Sequence, residues 1–158
     1  MKITLLTVGR STNSHVARLV DHFALRVGRY IDYAVEAVPD VKTTRTTTEE
    51  KQREMEGRNI LSALRPGDFL WLLDEHGTEY TSREFAREIQ RRMAAGVTKR
   101  IVFVVGGPYG FSPDVKERSD ALISLSRMTF PHEMVPLLFT EQVYRAMTIL
   151  RGEPYHHD

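Results

Sequence analysis

Three short segments carry most of the residues in this sequence that could hold a ligand. Each follows an apolar run, and they are Asp74 to Gly77, Gly106 to Gly110 and Leu125 to Phe130. In an open α/β sheet, small molecules bind beyond the carboxyl ends of the strands, where several connections meet. Glycine also lets the backbone approach a ligand closely because it has no Cβ. We therefore expect the three segments to converge around one ligand.

The glycine turn Gly106-Gly107-Pro108-Tyr109-Gly110 excludes several common kinds of site. It matches neither the G-x-G-x-x-G dinucleotide fingerprint nor the Gly-Lys-Ser/Thr of a phosphate loop, so a phosphate-cradling role is disfavoured. The chain has no G-x-S-x-G elbow and no cysteine, so covalent catalysis has little support. Taken alone, the turn is equally compatible with an ordinary strand-to-helix connection.

The pattern of acids and histidines does not favour a metal site. Asp74, Glu75 and His76 are adjacent, so their side chains would alternate in direction if the strand continues, and no second cluster lies at ligand spacing. We predict no metal site. His132 and His156 lie outside the predicted helices and strands, and taken alone each is interpreted as a solvated or hydrogen-bonded surface residue.

The elements that would position these residues alternate between strand and helix along the chain. The strand signals are apolar, β-branched runs, and the helix signals are apolar stripes at helical spacing with capping residues. Strands are predicted at 3–8, 33–38, 69–73, 100–105 and 121–125. Helices are predicted at 14–27, 49–64, about 82–93, from 113 onward and at 136–150. This order predicts an α/β fold with a mainly parallel sheet and helices on both faces.

Composition limits the remaining possibilities. The length of 158 residues with 41% hydrophobic content suits one domain, taken as residues 1–158. The absence of cysteine fits a reducing compartment, and no apolar run resembles a signal peptide or membrane span, so we expect a cytoplasmic protein. A net charge of +1 does not by itself indicate a nucleic-acid partner, and the arginines of residues 83–100 are interpreted as solvated helix faces.

Several motifs in a fixed order resemble those of a known family. They are Leu72-Leu73-Asp74-Glu75-His76-Gly77, Ser82-Arg83-Glu84-Phe85-Ala86, Val105-Gly106-Gly107-Pro108-Tyr109-Gly110, Leu125-Ser126-Arg127-Met128-Thr129-Phe130-Pro131-His132 and Pro154-Tyr155-His156. Together they resemble the ribosomal RNA large-subunit methyltransferase H family, the small single-domain branch of the SPOUT methyltransferases. The likeness covers most of the chain and is weakest in the threonine-rich segment near residue 45 and the helix after it.

The resemblance implies properties that composition alone does not. Members of the family have a sheet whose carboxyl-terminal part forms a deep trefoil knot, and they are homodimers. They bind S-adenosylmethionine in the knot and methylate N3 of a pseudouridine in 23S ribosomal RNA within assembled ribosomes. Here the dimer contact would be the wide apolar face of the last predicted helix, formed by Leu138, Phe139, Val143, Ala146, Met147 and Leu150.

Carried over by motif, the resemblance also assigns site residues. The cofactor-binding residues would be Leu73, Gly106, Leu125, Ser126, Arg127, Met128, Thr129 and Phe130. The target N3 carries a proton, so a base or hydrogen-bonding group must help remove it. The candidates for that role are His132 and His156, while Tyr155 would stack on or orient the target base and Arg145 would contact phosphate or the target ring.

Two other functions remain open from the sequence. A non-catalytic nucleotide-binding or RNA-binding module could keep the same pocket without turnover. An NAD-dependent oxidoreductase is suggested only by the α/β alternation, and the missing dinucleotide fingerprint disfavours it.

Overall fold

One fully parallel five-stranded sheet forms the centre of the computed structural model, which describes residues 1–158. The strands lie in the order β2-β1-β4-β3-β5. They are β1 (Lys2–Val8), β2 (Asp32–Val38), β3 (Asp68–Glu79), β4 (Arg100–Val105) and β5 (Ala121–Ser124). The helices are α1 (Ser14–Val27), α2 (Glu49–Ser62), α3 (Ser82–Ala94), α4 (Pro113–Arg118) and α5 (Met134–Leu150).

Helices cover both faces of the sheet, as predicted. Along β4, Phe103 belongs to a core cluster that also contains residues of α1, α3 and α5. The neighbouring Val102 and Val104 belong to a second cluster with residues of α2 and α4. Successive side chains of a strand point to opposite faces, so a strand buried on both sides needs a continuous apolar run. This explains why β4 is apolar from Ile101 to Val105.

Local signals set most of the helix boundaries. Asn13 caps α1 and Thr48 caps α2 through side-chain oxygens that accept backbone N–H groups. A capping box starts α3: Thr81 Oγ1 accepts from the Glu84 N–H, and Glu84 Oε2 accepts from the Thr81 N–H. These caps satisfy N–H groups that have no partner within the helix.

The strand β3 is longer than predicted. The sequence ends it at Leu73, but the structure continues it to Glu79. Both Leu73 and Thr78 pair with Ile123 of β5, so the residues between them form a bulge. The prediction that Asp74 to Gly77 form a loop leaving the strand was therefore wrong. Polar residues are tolerated there because the bulge takes them out of the ladder, where Asp74 Oδ1 accepts from the His76 N–H at 2.8 Å.

The last helix buries most of its apolar face within the same chain. Phe139, Val143, Ala146 and Met147 all belong to the core cluster shared with α1 and α3. That face was predicted to form a dimer contact, and for these four residues the prediction was wrong because the chain's own core covers them. Leu138 and Leu150 stay partly exposed.

No helix is both long and apolar enough to cross a membrane.

Candidate active site

The carboxyl ends of β3, β4 and β5 bring the predicted cofactor segments together. Leu73 pairs with Val105 on one side and with Ile123 on the other. Gly106 directly follows Val105, and Leu125 lies two residues beyond Ile123. Gly106 and Leu125 directly follow β4 and β5, and Leu73 lies beside them on β3, immediately before its bulge. This is the edge of the sheet where parallel α/β folds bind ligands.

The segment after β5 presents apolar side chains on a bent backbone. The Ser124 hydroxyl donates to the Ser126 carbonyl at 3.1 Å, and the Ser126 hydroxyl accepts from the Met128 N–H at 3.0 Å. Met128 is 76% exposed, although methionine is usually buried. Leu125 and Phe130 are half-buried. This segment offers apolar surface that a bound ligand would cover.

A cavity of about 260 Å³ lies beside this segment. Its wall consists of Tyr80, Thr81, Ser82, Phe85, Ile123, Ser124, Leu125, Phe130, Leu138 and Gln142. Two of the predicted cofactor residues, Leu125 and Phe130, are in this wall. The other six are not: Leu73, Gly106, Ser126, Arg127, Met128 and Thr129. The wall mixes aromatic surface with hydroxyl and amide groups, a combination typical of small-molecule sites.

The residues from the start of α3 were not among the predicted site residues. Thr81 and Ser82 line the cavity because α3 begins there, three residues after Thr78, where the pairing of β3 with β5 resumes beyond the bulge. The capping-box pattern in the sequence marks this helix start. It could have identified both residues had β3 been extended to Glu79.

Both glycines at the start of the glycine turn lie close to other side chains of the chain. A Cβ at Gly106 would lie 3.0 Å from Cζ of Phe111, and a Cβ at Gly107 would collide with the carboxyl group of Glu56. The sequence interpretation assigned the missing Cβ of Gly106 to close approach of a ligand. In the structure, the space beside Gly106 is taken by the ring of Phe111.

Three of the four predicted catalytic residues meet at the carboxyl terminus. Glu141 Oε1 accepts from Arg145 Nε at 3.1 Å and from the Tyr155 hydroxyl at 3.0 Å. Arg145 Nη1 lies 3.2 Å from His156 Nδ1, and the Arg145 guanidinium lies 4.8 Å from the centre of the Tyr155 ring. We call Glu141, Arg145, Tyr155 and His156 the tail network.

The tail network is anchored to α3 by a second acid. His156 Nε2 lies 2.9 Å from Asp158 Oδ1, and the same oxygen accepts from Arg83 Nε at 2.9 Å. Arg83 and His156 lower the pKa of Asp158 to about 2. Burial and the hydrogen bond to Glu141 raise the pKa of Tyr155. Tyr155 is therefore held as a neutral hydrogen-bond donor at neutral pH.

A polar chain joins the tail network to the wall of the cavity. Gln142 Nε2 donates to Glu141 Oε2 at 3.0 Å, and Gln142 Oε1 accepts from the Ser82 hydroxyl at 2.8 Å. Glu141 was not a predicted site residue. Its position four residues before Arg145 on a helix is the signal that could have identified it, because this spacing places the two side chains together.

His132 lies apart from the other three catalytic candidates. It lines a larger cavity of about 1110 Å³, which also includes Pro136 at the start of α5. Nine positions separate Pro136 from Arg145, which is about 14 Å along a helix axis at 1.5 Å per residue. Within one chain, His132 and the tail network therefore do not form a single site.

The structure contains no group of three or more His, Cys, Asp or Glu residues placed to hold a metal ion.

Comparison with known proteins gives one consistent result. A family model described as a predicted SPOUT methyltransferase matches residues 1–156. A Porphyromonas gingivalis protein named ribosomal RNA large subunit methyltransferase H is 52% identical over 158 residues, covering 100% of both chains. Proteins of the same name from Phocaeicola vulgatus and Bacteroides thetaiotaomicron are each 49% identical, again over 100% of both chains.

Proposed function

This chain belongs to the SPOUT methyltransferase family, and we propose that it methylates N3 of a pseudouridine in 23S ribosomal RNA. The observation that carries the general activity is the match of about half of all positions, over the full length, to proteins named ribosomal RNA large subunit methyltransferase H. The chain is an RNA methyltransferase on that basis. The target atom and nucleotide are the finer proposal, and the assembled ribosome in the cytoplasm is the proposed substrate.

The methyl donor we propose is S-adenosylmethionine, which supplies an electrophilic methyl group on a positively charged sulfur. The ends of β3, β4 and β5 fit such a ligand. Leu125 and Phe130 offer an apolar slot for an adenine ring, and Ser82, Ser124 and Gln142 place polar groups in the adjoining wall. Leu73, Gly106 and the exposed Met128 would complete the pocket, with Ser126, Arg127 and Thr129 contributing the rest of the loop.

The proposed fold includes the deep trefoil knot of the family within a single domain spanning residues 1–158. Two features support it. β5 is the last strand in the chain, yet it pairs with β3 rather than with β4, the strand that precedes it. Its backbone also passes so close to the bulge that a Cβ on Gly77 would collide with Ile123.

Alignment is the main requirement of the chemistry. Methyl transfer from a sulfonium is an in-line displacement, and correct positioning can contribute about 7 to 11 kcal/mol. In the tail network, Glu141 fixes the guanidinium of Arg145 and the hydroxyl of Tyr155. Arg145 would then contact a phosphate or the target ring, and Tyr155 would orient the ring. His132 or His156 would accept the N3 proton.

A homodimer is proposed because one chain separates His132 from the tail network. A second copy would place the tail of one protomer near His132 of the other. The remaining exposed apolar side chains available for such contact include Leu19 at 47% and Leu25 at 76% exposure, both on α1. The helices α1 and α5 pack against each other, and Arg26 of α1 donates to the Tyr144 hydroxyl of α5 at 2.6 Å. The two helices therefore form one continuous surface for the proposed dimer contact.

The test is methyl transfer from radiolabelled S-adenosylmethionine to ribosomes taken from a strain that lacks the activity. We expect label in large-subunit RNA and N3-methylpseudouridine in its nucleoside digest. Free 23S RNA and small subunits serve as controls and should take up much less label.

Binding of S-adenosylmethionine with no label in any RNA would instead favour the non-catalytic module. Label on a different atom or nucleotide would leave the methyltransferase activity in place and overturn only the proposed target.

A further inference from the structure

Gln142 lies between the smaller cavity and the tail network. Its side chain is in the wall of the cavity of about 260 Å³, which is the space proposed for the methyl donor. Its amide also bonds to Glu141, the carboxylate that holds Arg145 and Tyr155. One side chain therefore contacts both halves of the proposed site.

The chemistry of Glu141 sets the direction of these hydrogen bonds. A carboxylate paired with an arginine only accepts hydrogen bonds, so the group of Gln142 that faces Glu141 Oε2 at 3.0 Å is the amide N–H. The amide carbonyl then faces Ser82, whose hydroxyl donates to it at 2.8 Å. The hydrogen bonds run one way, from Ser82 through Gln142 to Glu141.

The bond between Gln142 and Glu141 is not an ordinary consequence of helix geometry. Adjacent residues of a helix do not face each other, whereas residues four apart, such as Glu141 and Arg145, do. The amide of Gln142 is also held by Ser82 at the start of α3, and α3 packs against α5. The contact between the two helices thus helps to direct this side chain toward Glu141.

This contact determines how Arg145 meets Glu141. Arginine and carboxylate often pair through two nitrogens and both oxygens. Here Arg145 Nε and Nη2 both donate to Glu141 Oε1, at 3.1 and 2.6 Å, while Gln142 occupies Oε2. Without Gln142, the guanidinium could turn toward both oxygens. It would then leave its present place 3.2 Å from His156 Nδ1 and 4.8 Å from the centre of the Tyr155 ring.

We propose that Gln142 positions the tail network from the wall of the methyl-donor cavity, so that filling this cavity and orienting Arg145 and Tyr155 are linked. The inference rests on the proposed function. Gln142 is a positioning residue, because it acts on the reaction through Glu141. A ligand in the cavity would lie against Ser82 and Gln142 and would restrain the hydrogen bonds that orient the Glu141 carboxylate.

Two substitutions of Gln142 separate hydrogen bonding from packing. Q142M keeps the length of the side chain and removes both hydrogen bonds, while Q142E keeps the shape but cannot donate to Glu141 once it is ionised. With full-length protein, ribosomes and saturating S-adenosylmethionine, we expect the single-turnover rate to fall about 10- to 100-fold in both variants. The affinity for S-adenosylmethionine should change by less than about fivefold. Q90M, at an exposed position on α3, is the matched control and should behave as wild type.

A double-mutant cycle tests whether Gln142 acts through Glu141. Y155F removes a hydroxyl that bonds to the same carboxylate. If both side chains act by orienting one carboxylate, their effects on the rate do not multiply, and the double variant should be slower than Y155F by less than about threefold. Urea denaturation shows whether each variant is folded, so that a loss of rate is not mistaken for a loss of structure.

The NMR signal of the Arg145 Nε–H group reports the link without turnover. The signal is identified by its absence in R145K. Addition of S-adenosylmethionine should shift it in wild type and in Q90M, and the shift should be much smaller in Q142M.

Three results would overturn the inference and leave the methyltransferase activity in place. They are a folded Q142M or Q142E with the wild-type rate, rate losses that multiply in the cycle, or an NMR response that is the same in wild type and Q142M. If the wild type binds no S-adenosylmethionine or transfers no methyl group, the proposed function fails, and the inference fails with it.

Discussion

Glu141 shows how one carboxylate can organise several candidate catalytic groups. One of its oxygens accepts from both Arg145 and Tyr155, and the other accepts from Gln142. Arg145 is thereby held next to His156 and over the ring of Tyr155. Long side chains lose conformational freedom when they are fixed in this way, and that cost is met before any substrate arrives.

The first prediction concerns Tyr155. Y155F removes the hydroxyl bonded to Glu141 but keeps the ring, which packs 4.7 Å from the Tyr144 ring centre. We expect methyl transfer to fall about 10²-fold while S-adenosylmethionine affinity changes by less than about twofold. Single-turnover assays and calorimetric titration measure the two quantities. Y109F, at an exposed tyrosine of the glycine turn, is the control, and an unchanged Y155F rate would remove this hydroxyl from the mechanism.

The second prediction concerns the buried pair of Arg100 and Asp68. Their side chains are 6% and 2% exposed, and Arg100 Nε donates to Asp68 Oδ1 at 3.0 Å. D68A leaves the guanidinium buried without its counter-ion, so we expect the free energy of unfolding to fall by about 3 to 5 kcal/mol. Urea denaturation measures this. E88A, which breaks a surface pair with Arg91, should cost much less.

The same pair predicts a pH dependence. Burial alone would raise the pKa of Asp68, but the hydrogen bonds from Arg100 and the Arg65 backbone outweigh it and hold the pKa below its ordinary 3.8. As the pH falls below that value, the unfolded chain takes up the proton first, so stability is lost. Wild type should therefore lose stability more steeply than D68A on acidification. If the stability of wild type and D68A falls equally steeply on acidification, the pKa of Asp68 is not lowered in the folded protein.

At the scale of elements, helix caps link folding to the cavity. T81A removes the hydroxyl that accepts from the Glu84 N–H at the start of α3, and we expect a loss of about 1 kcal/mol in unfolding free energy. Because Thr81 also lines the smaller cavity, S-adenosylmethionine should bind more weakly. T48A removes the equivalent cap of α2, which lies outside that cavity. It should lower the unfolding free energy by a similar amount without weakening the binding of S-adenosylmethionine. If T81A and T48A bind S-adenosylmethionine equally well, the start of α3 does not contribute to the cofactor pocket.

Most element boundaries follow from local sequence because their causes are local. The bounds of α1 and β4 agree with the prediction, since a cap starts the helix and a continuous apolar run defines the strand. The extension of β3 was missed because Thr78 is held by pairing with Ile123, which lies far along the chain. Sequence periodicity reports which side chains share a face and not which distant strand they meet.

The same limit applies to the candidate site, where only features with local causes could be predicted from the sequence. Leu73, Gly106 and Leu125 lie near one another, as predicted, because β3, β4 and β5 are parallel neighbours in the sheet. The burial of Glu56 could not be predicted, because a charged residue on a helix ordinarily faces solvent and only the tertiary structure buries this one. The burial of Phe139 in the chain's own core likewise depends on how α5 packs against the sheet.

At the scale of the whole molecule, the separation of His132 from the tail network makes the proposed dimer testable. If each active site combines His132 of one protomer with the tail of the other, H132A and Y155F each damage both sites of a homodimer. In a mixed dimer, the intact His132 and the intact tail belong to different protomers and meet in one site. Unfolding and refolding an equal mixture should produce such dimers.

Each mixed dimer would then have one intact site and one with both lesions. With random pairing, half of the dimers are mixed and half of their sites work, so we expect the mixture to recover about a quarter of the wild-type rate. Each variant refolded alone is the control and should remain at its own low rate. Light scattering must show a dimer in all samples. If the mixture is no more active than the average of the two variants, His132 and the tail do not act together across two chains, because only a site shared between protomers can be rebuilt by mixing.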